Sequence, residues 1–319
     1  MFKVAVTDNR FPHYDEELAE LKKCGAELFL CPDSHGDEIL EYIYDADALL
    51  VNQFKMTANI IKKLNKCRII SRYGVGYDNV DLKAAKEMNI PVGRVPDYCF
   101  EEVGEHALCL LLAAARKLVA IDNRVRKGNW NIHSRLAIPR IAGSVLGIIG
   151  YGGTGRAFHR KASGLGFGKI LVDDPIFKQS KDDTALKASF ETVINESDYI
   201  SLHIPFIPEN KSLINASVLS AMKNTAVLIN TSRGGVVDTR ALINALKNGT
   251  IMAAGLDVFE EEPPLNYNEL LKLDNAVLSD HCAYYSESSL SELKRKAALN
   301  IVDVLNGGKP RYPVEYNGN

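Results

Sequence analysis

The sequence has 319 residues, enough for two domains of ordinary size, each with its own core. Its 38 basic and 40 acidic residues give a formal net charge of −2, and no basic block stands out, so neither nucleic acid nor an anionic membrane is indicated as a partner. The longest apolar run, residues 107–115, is much shorter than a membrane span and predicts a buried helix.

The chain alternates short apolar runs with amphipathic helical stretches. Four runs predict a first series of strands, at residues 3–7, 26–30, 47–51 and 68–72. Six more runs predict a second series, at residues 144–150, 169–173, 199–203, 226–230, 251–257 and 275–279. Near-continuous apolar strands bounded by helices are typical of parallel sheets that are covered on both faces. The two series therefore predict two doubly wound α/β domains.

Two long helical segments are expected to connect these domains. Residues 101–117 would carry the chain from the first domain to the second, and residues 286–305 would carry it back, so that the tail KPRYPVEY rejoins the first domain. We therefore expect a discontinuous first domain, residues 1–98 plus 286–319, and an inserted second domain, residues 99–285. The two hinge connectors would leave the ligand in the cleft between the domains.

The six cysteines are far apart in the sequence and form no CxxC pair. The N-terminus has a strand pattern with no signal peptide before it. We therefore expect a cytoplasmic protein with reduced thiols. The histidines show no spacing typical of metal ligands, so no metal site is predicted.

The sequence GYGGTG places Gly150, Gly152 and Gly155 directly after a predicted strand and before a helical stretch. Such a loop turns tightly, lets a pyrophosphate approach backbone N–H groups and directs a helix N-terminus at its charge. Asp174 ends the next predicted strand, at the position where an acidic residue accepts hydrogen bonds from the ribose of NAD and repels the 2′-phosphate of NADP. The alternative is a glycine-rich turn followed by a helix-capping aspartate. The strand–turn–helix context favours NAD, and only the second domain has such a loop.

Arg233, Glu262 and His281 each follow a different predicted strand of the second domain. Parallel strands end at one edge of their sheet, where α/β proteins bind ligands, so we expect these side chains beside the cofactor. Taken alone, an arginine in a turn is usually a solvated charge, and a single histidine is more often structural. The combination of the three favours a catalytic site.

Six segments resemble the successive motifs of the D-isomer-specific 2-hydroxyacid dehydrogenases. They are VPDYCFEEVGEHALCLLLAAARKL, GYGGTG, HIPFIPENKSLIN, AVLINTSRGGVVD, GLDVFEEEP and DHCAYYSE. The branch that looks most similar contains the C-terminal-binding-protein corepressors and phosphoglycerate-dehydrogenase-like enzymes. The resemblance implies a flavodoxin-like substrate domain and a Rossmann NAD-binding domain.

The resemblance also implies roles for single residues. Arg233 would bind the substrate carboxylate and carbonyl, Glu262 would partner the general acid/base His281, and the backbone N–H groups of Val75 and Gly76 would bind the carboxylate. The residues implied at the cofactor are Gly150, Gly152, Gly153, Thr154, Gly155, Asp174, His203, Pro205, Thr231, Ser232, Arg233, Asp257 and His281. Many relatives carry arginine where this chain has Gly153, which removes one phosphate contact.

These roles agree with the chemistry of 2-oxo acid reduction. Hydride goes from the nicotinamide to the keto carbon, and the growing oxyanion needs a proton, which His281 can donate while the Glu262 anion favours the protonated imidazole. The planar guanidinium of Arg233 can hold the carboxylate and the carbonyl oxygen together.

The expected function is hydride transfer between NAD(H) and a small D-2-hydroxy acid or 2-oxo acid. Glycerate, phosphoglycerate, lactate and glyoxylate types of substrate all remain open. The alternative is an NAD(H)-sensing binding module similar to the corepressors, with secondary dehydrogenase activity. The apolar face of residues 103–115, next to Trp130, predicts a homodimer.

Overall fold

The helices and strands were located in a computed structural model that describes residues 1–130, 137–180 and 184–315. The strands are β1 (Phe2–Val6), β2 (Ala26–Leu30), β3 (Ala48–Val51), β4 (Ile70–Arg72), β5 (Val92–Gly93), β6 (Val145–Ile149), β7 (Lys169–Asp173), β8 (Ala185–Lys187), β9 (Tyr199–Leu202), β10 (Val227–Asn230), β11 (Ala253–Leu256) and β12 (Ala276–Leu278). The helices are α1 (Asp15–Leu21), α2 (Leu40–Ile43), α3 (Ala58–Lys62), α4 (Leu82–Glu87), α5 (Phe100–Ala115), α6 (Leu118–Arg126), α7 (Gly153–Ala162), α8 (Phe190–Glu196), α9 (Ala216–Ala221), α10 (Thr239–Lys247) and α11 (Glu287–Leu305).

The chain divides into two compact units. The first unit contains Met1–Tyr98 and Ser286–Asn319, and the second contains Cys99–Tyr285. Among the described residues, no helix combines the length and the apolar character that crossing a membrane requires.

The first unit is built on a five-stranded parallel sheet in the order β2-β1-β3-β4-β5. One face packs against α2, α3 and α4 through a core that includes Ile43, Leu49 and Ile60. On the other side, α11 packs against α1, β3 and β4. The C-terminal tail joins β5 through an antiparallel bridge between Gly93 and Pro313, so both ends of the chain contribute to this unit.

The second unit is built on a seven-stranded parallel sheet in the order β12-β11-β10-β9-β6-β7-β8. A core containing Leu110 and Phe158 lies between one face and helices α5 and α7. A second core containing Val193 and Leu242 lies under α8, α9 and α10 on the other face. The prediction of two doubly wound parallel-sheet domains is confirmed. The strand order reverses between β6 and β9, which is the switch point where such sheets bind ligands.

Two strands, β5 and β8, were not predicted. β5 has only two residues, and β8 is one of the two edge strands of its sheet, with two of its three residues exposed. Neither has the apolar run by which the other strands were predicted, because a short or half-exposed strand buries little side-chain surface.

Candidate active site

The glycine loop joins β6 to α7 at the switch point of the second sheet. Gly150 has a positive φ of 88°, and a Cβ at this position would collide with the carbonyl oxygen of His203. A Cβ at Gly155 would collide with the carbonyl oxygen of Gly150. A Cβ at Gly152 would meet no atom within 4 Å. Gly150 and Gly155 are therefore required by the fold, whereas Gly152 leaves open space in front of the helix N-terminus.

Gly153 is the first residue of α7, and its surroundings account for the missing arginine. A Cβ at this position would collide with the ring of Phe100, the first residue of α5. Any larger side chain would have to displace that ring. Thr154 follows within the same first turn of α7, whose N–H groups have no partner inside the helix.

Asp174 lies directly after β7 and is bonded to the glycine loop. Its Oδ2 accepts a hydrogen bond from the N–H of Tyr151 at 2.8 Å, and its Oδ1 accepts from the N–H groups of Ile176 and Phe177 at 2.8 and 2.9 Å. The carboxylate therefore fixes the loop, which the sequence did not predict. Its contact with the ribose stays a prediction.

Two polar atoms near the ends of β9 and β10 lack partners within the described part of the chain. The Nδ1 of His203 and the hydroxyl of Thr231 are buried and make no hydrogen bond, although His203 Nε2 lies 2.9 Å from the hydroxyl of Ser201. Burial lowers the pKa of His203 to about 3, so its imidazole is neutral. Buried polar groups are rarely left unsatisfied in a protein. Together with the space at Gly152, they fit a dinucleotide with polar atoms of its own.

The turn that carries Arg233 is built around the side chain of Asn230, the last residue of β10. Asn230 Oδ1 accepts hydrogen bonds from the N–H of Ser232 at 3.0 Å and from its hydroxyl at 2.7 Å, while Asn230 Nδ2 donates to the carbonyl of Arg233 at 2.9 Å. The guanidinium of Arg233 donates to the carbonyl of Ser232 at 2.8 Å. Asn230 was not among the predicted site residues, although an asparagine at the end of a buried strand is a signal for such a turn.

This turn packs against the segment that carries Glu262. A Cβ at Gly234 would collide with the backbone of Phe259 and Glu260, so only glycine lets the two segments approach this closely. Glu262 Oε1 accepts a hydrogen bond from the N–H of Phe259 at 2.9 Å. The chain thereby holds Arg233 and Glu262 at one edge of the sheet.

His281 lies beyond β12 and contacts Glu262 directly. The distance between His281 Nδ1 and Glu262 Oε2 is 2.6 Å, and His281 Nε2 has no hydrogen-bond partner among the described residues. Burial alone would raise the pKa of the Glu262 carboxyl, but the hydrogen bonds from His281 and Phe259 and the charge of Arg233 hold it below its ordinary value. The pair is therefore an ionised carboxylate that orients an imidazole.

Asp257 holds the backbone on which His281 lies. Its carbonyl accepts from the N–H of His281 at 2.8 Å, and its carboxylate accepts from the hydroxyl of Ser279 and the N–H groups of Cys282 and Ala283 at 2.6, 3.0 and 3.0 Å. His281 itself has a positive φ of 58°, which is unusual for a residue with a side chain. The resemblance implied Asp257 at the cofactor, but it did not indicate this supporting function.

Asp257 also belongs to a group of possible metal ligands in the described part of the chain. Ligand atoms of His106, Asp257 and Cys282 lie within 4.8 Å of one another. His106 Nε2 is 2.8 Å from the hydroxyl of Ser279, and both oxygens of Asp257 already accept backbone hydrogen bonds. The group is thus engaged in fixing the His281 turn.

Val75 and Gly76, predicted at the substrate carboxylate, belong to the first unit. They lie in the loop between β4 and α4, and Val75 is exposed. Neither N–H donates a hydrogen bond to any residue that the structure describes. Two adjacent open donors after a parallel strand are suited to an anion. Of the remaining predicted residues, Pro205 is exposed in the loop after β9.

Comparison with known proteins identifies the family of the chain. The model of the D-isomer specific 2-hydroxyacid dehydrogenase NAD-binding domain matches residues 108–283. The chain belongs to this family. It is 38% identical over 286 residues to a glycerate dehydrogenase of Methylorubrum extorquens, covering 88% of each protein. It is 39% identical over 278 residues to a glyoxylate reductase of Korarchaeum cryptofilum, covering 85% of this chain and 83% of that protein.

One similar solved structure contains bound ligands. The D-lactate dehydrogenase of Aquifex aeolicus in complex with NAD and lactic acid has a TM-score of 0.84 and 28% identity, with 96% of each chain covered. The chain is therefore an NAD-dependent oxidoreductase that acts on small hydroxy acids by hydride transfer.

Proposed function

We propose that this enzyme interconverts a small 2-oxo acid and its D-2-hydroxy acid. The reaction takes place at one edge of the second sheet, in a site formed by Arg233, Glu262 and His281. The main support for this proposal is the 2.6 Å contact between Glu262 and His281. Because this contact engages Nδ1 of the imidazole, Nε2 is the nitrogen that can exchange a proton with the substrate. When bound, NADH supplies the hydride.

In the reducing direction, His281 donates the proton. The keto carbon gains two electrons and a hydrogen, its C=O π bond breaks, and the resulting alkoxide oxygen takes the proton from Nε2 of the imidazolium. Glu262 remains ionised and stabilises the imidazolium before this transfer. In the oxidising direction, Nε2 accepts the same proton from the hydroxyl group.

Arg233 orients the acid in the second unit, and the N–H groups of Val75 and Gly76 are proposed as a carboxylate-binding group of the first unit. The guanidinium forms two parallel hydrogen bonds, one to a carboxylate oxygen and one to the carbonyl oxygen that becomes negative. The two N–H groups bind the carboxylate alone. Arg233 therefore contributes to both binding and turnover, whereas Val75 and Gly76 contribute to binding.

The residues proposed at NAD combine open or unsatisfied groups with the carboxylate of Asp174. The first turn of α7 and Gly152 would receive the pyrophosphate, Asp174 would accept from the adenosine ribose with its remaining lone pairs, and His203 and Thr231 would offer polar atoms to the cofactor. The carboxylate of Asp174 favours NAD over NADP, whose 2′-phosphate it would repel.

The test is NADH oxidation with glyoxylate, hydroxypyruvate, phosphohydroxypyruvate and pyruvate. We expect turnover with at least one of these acids. Arg233→Gln should raise KM and lower kcat for that acid, because it removes the guanidinium from both the substrate carboxylate and the reacting carbonyl. Arg240→Gln, an exposed arginine on α10, is the matched control and should leave both constants unchanged. Absence of turnover with every 2-oxo acid would contradict the proposal.

We further propose a homodimer, but not through the apolar face of residues 103–115 that the sequence indicated, because α5 buries that face in the core of its own unit. We assign the pairing to α6 and Trp130. None of the residues of α6 is buried within its own unit, and the exposed fractions of Leu118 and Trp130 are 60% and 81%. Exposed apolar groups on neighbouring segments favour an interface with a second chain.

We infer a cytoplasmic location from the cysteines. All six are free, and Cys31 and Cys99 are buried. Burial raises the pKa of Cys31 to about 11 and that of Cys67 to about 12, so these thiols stay protonated in the core. Thiols without disulfide partners are typical of a reducing compartment.

A further inference from the structure

The first unit contains a charged cluster that the proposed reaction does not use. Glu17 of α1 and Lys294 of α11 have exposed fractions of 0% and 1%. Lys294 Nζ lies 2.5 Å from Glu16 Oε2 and 3.8 Å from Glu17 Oε2. Charged side chains are almost never enclosed to this degree unless they are paired. Lys294 is therefore enclosed together with the glutamates that pair with it.

Tyr73 connects this cluster to the substrate loop. Its hydroxyl donates a hydrogen bond to Glu17 Oε1 at 2.8 Å, and the residue is 2% exposed. Burial and the neighbouring Glu17 charge raise the pKa of Tyr73 well above its ordinary value, so the hydroxyl keeps its proton and remains a donor. Tyr73 directly precedes Gly74, Val75 and Gly76 in the sequence.

The backbone around these residues is fixed at both ends. On the N-terminal side, the N–H of Tyr73 donates to the carbonyl of Val51 at 2.8 Å. On the C-terminal side, Asn79 Nδ2 donates to the carbonyls of Asn52 and Phe54 at 3.0 and 2.8 Å. The carbonyl of Gly74 also accepts a hydrogen bond from the N–H of Val95 at 2.9 Å. The open N–H groups of Val75 and Gly76 therefore directly follow a short anchored stretch, of which the Tyr73 side chain is the contact with Glu17.

We propose that Tyr73 and Glu17 are positioning residues for substrate binding, which act by holding the N–H groups of Val75 and Gly76 in place. This inference rests on the proposed function, in which those groups bind the substrate carboxylate. Glu17 is the acceptor of this hydrogen bond, with Lys294 Nζ of α11 as an ion-pair partner 3.8 Å from its second oxygen, and Tyr73 connects it to the loop.

The proposal predicts a change in KM rather than in kcat. The carboxylate of a 2-oxo acid keeps its charge throughout hydride transfer, so its contacts are equally strong in the bound substrate and in the transition state. Weakening such contacts raises KM and leaves kcat unchanged. Loss of stability alone would do the reverse, since it lowers the amount of active enzyme without changing the KM of the molecules that remain folded.

The experiment compares steady-state kinetics of wild type, Tyr73→Phe, Glu17→Leu and Glu17→Gln with the 2-oxo acid that wild type reduces best. Tyr73→Phe and Glu17→Leu each remove the hydrogen bond and should raise KM by about tenfold, less than the ~10²-fold effect of a 1 Å misplacement. Glu17→Gln retains an acceptor oxygen and should restore a KM close to that of wild type. The double variant Tyr73→Phe/Glu17→Leu should have the KM of either single variant, because both remove the same bond.

Tyr14→Phe is the matched control. Tyr14 is also buried in the first unit and lies beside the same cluster, but its hydroxyl donates to Asn9 at 2.8 Å and not to Glu17. Its KM should equal that of wild type, and the dissociation constant of NADH, measured by fluorescence, should be the same for all variants.

The outcomes separate the two proposals. A lower kcat with unchanged KM in Tyr73→Phe, or an equal rise of KM in Tyr14→Phe, would overturn the positioning role and leave the proposed function intact. Failure of wild type to reduce any 2-oxo acid would overturn both.

Discussion

His281 has the least common backbone conformation of the three proposed catalytic residues. With φ at 58° it lies in the left-handed region, which costs roughly 1–3 kcal/mol for a residue with a side chain. The hydrogen bonds to Asp257 hold it there, since the carbonyl and both carboxylate oxygens of Asp257 bind the turn. The strained backbone directs the imidazole at Glu262, which is the geometry that proton transfer requires.

At this residue we expect His281→Ala to lower kcat by about 10²–10⁴, because general acid catalysis contributes that much. The pyrophosphate and ribose contacts lie elsewhere, so the dissociation constant of NADH should not change. Steady-state kinetics and fluorescence titration check the two expectations. Turnover near the wild-type value would show that His281 is not the proton donor.

Glu262 can be tested against its own neighbour. Glu262→Gln should lower kcat, because a neutral amide stabilises the imidazolium less than a carboxylate does. Glu261→Gln, one position earlier in an exposed segment, should behave as wild type. Equal effects of the two substitutions would indicate a general loss of negative charge rather than the specific pair.

Within the glycine loop, Gly155 is required for folding, whereas Gly152 is expected to matter for cofactor binding. Gly152→Ala should change the free energy of unfolding by no more than about 0.5 kcal/mol, since its Cβ meets no protein atom. It should nevertheless weaken NADH binding, because that Cβ lies in the space proposed for the pyrophosphate. Gly155→Ala should destabilise the protein by about 1–3 kcal/mol, because its Cβ collides with the carbonyl of Gly150.

Urea unfolding and NADH fluorescence titration measure these two effects separately. We expect Gly152→Ala to weaken NADH binding with little change in the free energy of unfolding, and Gly155→Ala to lower the free energy of unfolding. If Gly152→Ala binds NADH as tightly as wild type, the pyrophosphate does not lie over this glycine.

The elements also show how far sequence reasoning extends. Long apolar strands such as β7, and the glycine loop that follows β6, were predicted because burial and turn geometry leave local patterns. The hydrogen bond between Tyr73 and Glu17 was not, because the two residues are far apart in the sequence and each is unremarkable by itself. Asp174 has one feature of each kind. Its position after a strand was enough to predict a ribose contact, whereas its hydrogen bond to Tyr151 depends on how the loop folds.

For the molecule as a whole, His203 predicts a loss of stability in acid. Its pKa is about 3 in the folded protein against an ordinary 6.5, so the unfolded chain takes up this proton first. The free energy of unfolding should therefore fall as the pH drops from about 6.5 towards 3 and be independent of this group above 6.5. In urea unfolding between pH 7 and 5, His203→Gln should lose less stability than wild type. Parallel pH dependences would show that His203 is not neutral in the fold.

The proposed dimer predicts a mass of twice the 35.2 kDa chain in light scattering at micromolar concentration. Leu118→Glu should shift this mass towards the monomer, because it places a charge on the exposed face of α6. Tyr267→Glu, on another exposed hydrophobic residue of the same unit, should not. A wild-type monomer would refute the interface.

The arrangement of the first unit has a consequence for its synthesis. α11 packs against β4, and the hydroxyl of Ser71 donates to the carbonyl of Ala297. The first unit is therefore completed by a helix that the ribosome synthesises long after β4. At about 5–20 residues per second, a ribosome takes roughly 10–40 s to add the intervening unit before α11 emerges. During that interval the early strands lack the helix that covers one of their faces, whereas the second unit has all of its own elements. The NAD-binding unit can thus reach its native state first, and the early segment is where the nascent chain most needs a chaperone.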